Sequence, residues 1–307
     1  MPRTKQLRVS LLGGLLLTLS CGDDNPEAPL GPTQPRSIVA WGDNYHGQCS
    51  VPSPNSGFVV VSAGYNHSVG VKGDSTAVAW GYGSNGECTV PSPNSDFVAV
   101  AAGDYHSLAV KSDGSVAAWG YNYHGQCDVP APNSGFVAVA AGCRHSLGLK
   151  NDSTVVAWGD NDISQCNVPS PNSGFVTVAS FYYHSLGVRS DGTIVAWGDN
   201  RLSQCNVPAP NSGFMAVAAG AYHSLGLKSD GTIVAWGENS YGQCNVPSPN
   251  SGFVAVAAGE FHSLGLKRDG TIVAWGENGD GQCNVPSPNS GFVAVAAGGK
   301  HSLGIRR

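Results

Sequence analysis

Two residue types in this chain have the chemistry for catalysis or metal binding, and both recur on one fixed spacing. Histidine stands at His67, His106, His145, His184, His223, His262 and His301, each step being 39 residues, and a serine follows every one. Cysteine stands at Cys49, Cys88, Cys127, Cys166, Cys205, Cys244 and Cys283 on the same step. A His–Ser pair could activate a nucleophile, and histidine is a ready metal ligand. The spacing argues against both. Equivalent positions on repeated sheets packed about 10 Å apart cannot share an ion with bonds of about 2 Å. Nor can their cysteines meet the limit of about 7 Å between Cα atoms that a disulfide needs. Catalytic groups break a repeat's rule at one convergent place, and no such set is visible. The histidine rings are therefore expected to satisfy backbone groups between neighbouring repeats. The seven cysteines are expected to be buried free thiols that pack as small hydrophobes. Cys143, which lies outside the pattern, is expected to be an exposed thiol. The chain has no nucleophile elbow, phosphate loop, Cys-x-x-Cys or His-Glu-x-x-His. It is read as a non-enzyme with no catalytic residue, metal or cofactor.

The elements that must carry these residues follow from one unit, GFVAVAAGEFHSLGLKRDGTIVAWGENGDGQCNVP at 252–286, with a joint at 287–290. Tryptophan recurs in step at Trp41, Trp80, Trp119, Trp158, Trp197, Trp236 and Trp275. Each unit holds four strand signals: Phe253–Ala258, His262–Lys267, 271–275 and the short 282–285. Asp269-Gly270 and its counterparts predict a tight hairpin between the second and third. The proline-rich joint cannot serve a central strand. A period of about 40 residues built of strands indicates a propeller or a solenoid. The array begins at 37–41 on a third strand and stops at 301–305 on a second, so the first strand can complete the last unit. The prediction is an all-β chain: a closed seven-bladed β-propeller of four-stranded antiparallel blades over 37–307, its last blade completed by the N-terminal strands. Each tryptophan belongs to the core, where burying an indole is worth roughly 4–6 kcal/mol at most.

Units such as HSLGLKSDGTIVAWGENSYGQ at 223–243, closed by CNVP, resemble the repeats of the regulator-of-chromosome-condensation propeller family. In compactness and in the GQCNVP ending they look most similar to its secreted, β-lactamase-inhibiting branch. The resemblance implies the propeller fold over 37–307 and leaves function open, because function sits on grafted loops. The exchange factor that names the family acts through an inserted wedge. Every unit here keeps 39 residues, so no wedge is expected.

Ahead of the array, Arg3, Lys5 and Arg8 precede an apolar run at 9–19 and then Ser20-Cys21. Residues 1–20 read as a signal peptide of lipoprotein type, with Cys21 as the lipidation site and 21–36 as a proline-rich tether. The protein is expected to be exported, as a cell-envelope lipoprotein or a secreted monomer, touching a membrane only through that lipid. Net charge is −5 and charged residues are 12%. With no basic tract in the array, nucleic acid is not an expected partner.

The copies differ at two places: the pair before the histidine and the loop after Trp-Gly. In an up-and-down blade both fall on one face, and the near-constant Asp-Gly and Pro-Asn-Ser-Gly turns fall on the other. The variable positions include Tyr45, Tyr65, Tyr105, Tyr123, Tyr182, Tyr183, Tyr222, Tyr241 and Phe261, together with Phe181 and acidic residues such as Glu87, Asp104, Asp199 and Glu260. Exposed tyrosine with little lysine is the composition of a recognition surface. The expected ligand is a protein with a basic contact surface. The alternatives are a glycan stacked on the aromatic rings, or a β-lactamase, as the resemblance implies.

Overall fold

The computed structural model describes residues 36–307, so the expected signal peptide, Cys21 and nearly all of the tether lie outside the described residues. Twenty-one strands form seven separate antiparallel sheets of three, and the described residues contain no helix. One sheet, or blade, consists of Phe97–Ala102, His106–Lys111 and Val116–Gly120 in that order. Numbered along the chain, blades one to six span 58–81, 97–120, 136–159, 175–198, 214–237 and 253–276. The seventh joins Phe292–Ala297 and His301–Arg306 to the first strand, Ser37–Gly42, whose register runs from Ser37 opposite Arg306 to Gly42 opposite His301.

The His-Ser strand is always central, so both its faces are covered and its first five residues are buried. The Phe-Val strands of successive blades lie against one another, which makes them the inner strands; the Trp strands stand outermost. Each gap between neighbouring blades is filled by its own apolar cluster. One such cluster packs Ile38, Leu303 and Ile305 of blade seven against Phe58, Val61 and Trp80 of blade one. The tryptophans are 5–7% exposed, as the core assignment requires. Each also donates from Nε1 to a backbone carbonyl in the preceding unit, as Trp119 does to Glu87 at 2.8 Å. The glycine after each tryptophan is obligatory. At Gly120 φ is +104°, and a Cβ there would sit 2.7 Å from the Tyr105 carbonyl oxygen.

The fourth strand expected in each blade is not a strand. Residues such as 282–285 close on themselves: Asn284 N donates to Gly281 O and Val285 N to Cys283 O. The Asn278 side chain captures Cys283 N at 2.9 Å. Backbone groups satisfied locally are not free to join a ladder. The outer strand is finished instead by the joint asparagine. Asn133 accepts from Val116 N at 2.7 Å and donates to Val116 O at 2.9 Å, so one side chain imitates a paired residue.

Candidate recognition face

The residues that looked most chemical are locked beneath the surface. Every repeat histidine is fully buried. Its Nε2 meets the serine hydroxyl of the next blade, not a backbone group as expected: His67 meets Ser107 at 2.9 Å, His106 meets Ser146 at 2.8 Å, and so on around to His301, which meets Ser68 at 3.0 Å. Each serine spends its own proton on a carbonyl, as Ser107 does on Glu87 O at 3.1 Å. The histidine must then be the donor at Nε2, which leaves Nδ1 bare and unpartnered. Burial pushes these imidazoles down, to about 4 for His67 and His184 and about 3 for the other five, so they stay neutral. The seven bonds run through every blade in turn and form a belt.

The cysteines are free, but the seven in register are only half-buried, and they act as donors rather than as plain hydrophobes. Cys166 Sγ lies 3.2 Å from Asp160 O, and the others bond likewise. Burial, then a nearby carboxylate, pushes Cys166 up to about 12. Cys143, expected at the surface, is buried at 3% exposure. Its amide is tied to Tyr182 O at 2.7 Å and its thiol lies 3.8 Å from the Tyr183 hydroxyl.

Both variable sites lie at one end of the blades, joined by bonds such as Tyr121 N to Tyr105 O at 2.9 Å. The opposite end gathers the Asp-Gly turns and the joints, where Phe136 N donates to Gly114 O. On the loop end the aromatic rings form a chain across three blades. Tyr183 contacts Tyr182 (centroids 4.3 Å apart), Tyr182 contacts Tyr222 (5.2 Å), Tyr222 stacks on Phe261 (5.6 Å) and Phe261 meets Tyr241 (5.0 Å). A second group links Tyr105 through Tyr121 to Tyr123 at 6.2 and 6.4 Å. Tyr45 stands apart on His46, which in turn meets Tyr82. Tyr65 lies over Gly299. Tyr45 and Tyr123 are more than four-fifths exposed, and Tyr241 about half.

Sequence reasoning passed over Tyr82 and Tyr121, although the position directly after Trp-Gly also varies between copies and would have signalled them. Four residues placed on this face by sequence are buried, Asp104 at 3% and Asp199 at 5% exposure among them. Phe181 is 3% exposed and joins the core between blades four and five. Glu87 is fully buried, its carboxylate turned back to Asn85 N at 2.8 Å.

The residue two before each histidine sits at the junction with the next blade: Tyr65, Asp104, Cys143, Tyr182, Ala221, Glu260 and Gly299. In most blades its amide bonds the next blade's glycine carbonyl, as Tyr65 does to Gly103 at 3.2 Å and Gly299 to Gly64 at 3.1 Å. That glycine admits no side chain, because a Cβ on Gly64 would lie 2.2 Å from Gly103 O. Blade four carries Phe181 instead, its inner strand runs one residue longer, and Cys143 N bonds Tyr182 O in place of the usual partner. Burial raises the Asp104 carboxyl to about 6 and also raises Glu260. Among the described residues no three His, Cys, Asp or Glu side chains converge as metal ligands would.

Comparison with known proteins places this geometry. The model of the regulator of chromosome condensation (RCC1) repeat matches residues 97–126, 136–165, 175–204, 216–243 and 253–282. Five of the units are RCC1 repeats. The propeller is also similar to solved structures with which it shares the fold. Prp20p from Saccharomyces cerevisiae superposes with a TM-score of 0.76 at 19% identity, over 89% of this chain and 92% of that one. Human WBSCR16 gives 0.71 at 17%, over 89% and 99%. The CRINKLY WD40 ectodomain of the Arabidopsis thaliana receptor kinase ACR4 gives 0.67 at 24%, over 81% and 93%. No curated protein sequence matches the chain. The RCC1-repeat architecture thus accounts for the blades, and the loop ends remain this chain's own.

Proposed function

We propose that this RCC1-repeat propeller is an exported, non-enzymatic binding protein, a closed seven-bladed disc that holds a protein partner on its loop face. The observation that carries the reading is the aromatic chain Tyr183–Tyr182–Tyr222–Phe261–Tyr241, which is unbroken over three blades and bordered by Glu238 and Glu260. Pre-packed rings lose little conformational freedom on binding, and acidic neighbours favour a partner with exposed Lys or Arg. The similar Prp20p is described with binding properties toward Gsp1p and histones, which agrees with a protein ligand in kind but not in identity. Export through residues 1–20 and anchoring through lipidated Cys21 complete the proposal.

Two experiments test it. Wild type and a Tyr105→Ala, Tyr182→Ala, Tyr183→Ala, Tyr222→Ala variant are used to capture protein from the native envelope fraction, beside a Lys111→Ala, Lys150→Ala control at the turn end. The reading requires a partner lost from the tyrosine variant and kept by the control; capture undiminished by the four substitutions sinks this face. Binding on a glycan array with no protein captured assigns the rings to sugars. A direct assay decides the narrower case of β-lactamase inhibition. For export, labelled palmitate should enter wild type and not Cys21→Ser.

A further inference from the structure

The two ends of the blades carry opposite charge. Among the described residues the turn end holds ten Lys and Arg against seven Asp, and the loop end three Lys and Arg against eleven Asp and Glu. The turn-end cations are part of the repeat, because every central strand ends in one, five lysines and two arginines in all. Each head lies 4.7–5.7 Å over the phenylalanine ring that opens the inner strand. That contact holds the stem in place and leaves the charge at the rim, half-exposed. Where a head also donates, the acceptor is a neutral carbonyl, as Pro132 O is for Lys150 Nζ at 3.2 Å. The ion pairs among the described residues, Arg201 with Asp199 and Lys300 with Asp280, both lie at the loop end. The turn aspartates serve their own turns instead: Asp74 accepts from Thr76 N at 3.1 Å and from Thr76 Oγ1 at 2.7 Å.

The same end receives the chain. Arg36 O accepts from Phe58 N at 3.3 Å, and Ser37 stands opposite Arg306. Residues 22–36 therefore join Cys21 to the turn end, and fully extended they reach about 45 Å. A lipid on Cys21 confines the protein within that distance of a bilayer. Confinement gives an effective concentration on the order of millimolar, so a contact too weak to hold free protein suffices. The tether brings to the bilayer the one end on which cations outnumber carboxylates, and the acidic loop end is repelled by the same anionic headgroups. The surface there is not flat. Between blades two and three it opens into a groove of about 430 Å³ lined by Lys111, Ser112, Asp113, Asn151, Val98 and Val137, where a headgroup can enter beside the Lys111 ammonium. The other surface of matching charge is the loop end of a second copy. Stacking on it would cover the aromatic chain and join molecules head to tail without closure.

We propose that the turn end docks on anionic phospholipid headgroups, through the ring of lysines and arginines that closes the central strands, and so points the loop face away from the membrane. This rests on the Cys21 anchor of the proposed function and adds to it a second membrane contact and an orientation.

The lysines themselves report on it. Lipidated wild type is reconstituted into vesicles of phosphatidylcholine alone or of an equal mixture with phosphatidylglycerol, then treated briefly with an amine-acetylating reagent and read lysine by lysine by mass spectrometry. Lys72, Lys111, Lys150, Lys228 and Lys267 should react about fivefold more slowly on the anionic vesicles. Lys300, at the loop end, should react equally on both. The protection should fade at about 1 M salt, where the Debye length is about 3 Å. Lys111→Gln with Lys150→Gln, checked for an intact melt, should weaken the protection of the three lysines that remain. Equal rates on the two kinds of vesicle, protection of Lys300 as well, or protection unweakened in the double variant each overturn the proposal. Protection in detergent that grows with protein concentration assigns the surface to a second copy and overturns it too. Palmitate labelling tests the anchor separately. Label at Cys21 with equal lysine rates keeps the anchor and drops the docking. No label, with the turn-end lysines protected only by added anionic vesicles, drops the anchor and keeps the docking.

Discussion

The two ends of the blades are built by the same chain on the same spacing, yet only one end repeats its bonding plan from copy to copy. At the turn end Asp113 accepts from both Ser115 N (2.8 Å) and Ser115 Oγ (2.7 Å), Lys111 lies 5.3 Å over the Phe97 ring, and Asn133 clamps Val116. The Asp turn recurs in five other blades, and the cation over the ring and the Asn clamp recur in all six. At the loop end the copies differ, large rings stand exposed, and Asp104 keeps one buried oxygen without a donor. Repetition optimises whatever every blade needs. A departure from it that costs stability signals a demand from outside the fold.

Four measurements break or sharpen that contrast. The largest effect concerns the His–Ser belt between the ends. The folded histidines sit at about 3 to 4, below the value of about 6.5 for a free imidazole. Below pH 6.5 the unfolded chain therefore takes up protons that the folded chain refuses. Stability complete above 6.5 is lost as pH falls, by about 1.4 kcal/mol per histidine per pH unit. Seven acting together should unfold the propeller between about pH 6 and 4, visible as loss of the β-sheet circular dichroism. A chain still folded at pH 3 would contradict the belt.

Next in size is Asp104→Asn. Its folded carboxyl titrates near 6 against an ordinary value of 3.8, so ionisation costs the folded state stability that is progressively lost as pH rises from 3.8 to 6. The amide should raise the melting temperature at pH 7.5, by up to about 3 kcal/mol of stability, and the gain should disappear below about pH 4. A loss of stability at pH 7.5 would mean that the carboxylate is a structural part. At the turn end the sign reverses. Asn133→Ala removes the clamp on Val116 and should cost about 1–2 kcal/mol in chemical denaturation; no cost would return the outer strand to some other support. Smallest is Tyr123→Ala, at a ring mostly in water, which should change stability by less than about 0.5 kcal/mol while weakening partner capture. A large loss of stability there would place the ring in the core.

Much of this was legible in the residues. The 39-residue step, the alternation of Phe253–Ala258 and the Asp-Gly turns are local signals that specify strands, hairpins and a sevenfold plan. They also determine which loops share an end, because two connections of an antiparallel meander must lie at the same end when they alternate. They could not show that 282–285 turns back on its own backbone, since four residues of strand-like composition become a strand only when a neighbour offers an edge. Nor could they assign the histidine's partner. That depends on a serine 40 positions further on, brought near by the stacking of one blade on the next. Phe181, Glu87 and Cys143 read as surface residues because their neighbours in sequence are; the radius at which each sits is set by how the inner strands converge. The contact of His301 with Ser68 is furthest from sequence. They are 233 positions apart, and only the packing of the last strands against the first blade brings the two side chains within bonding distance.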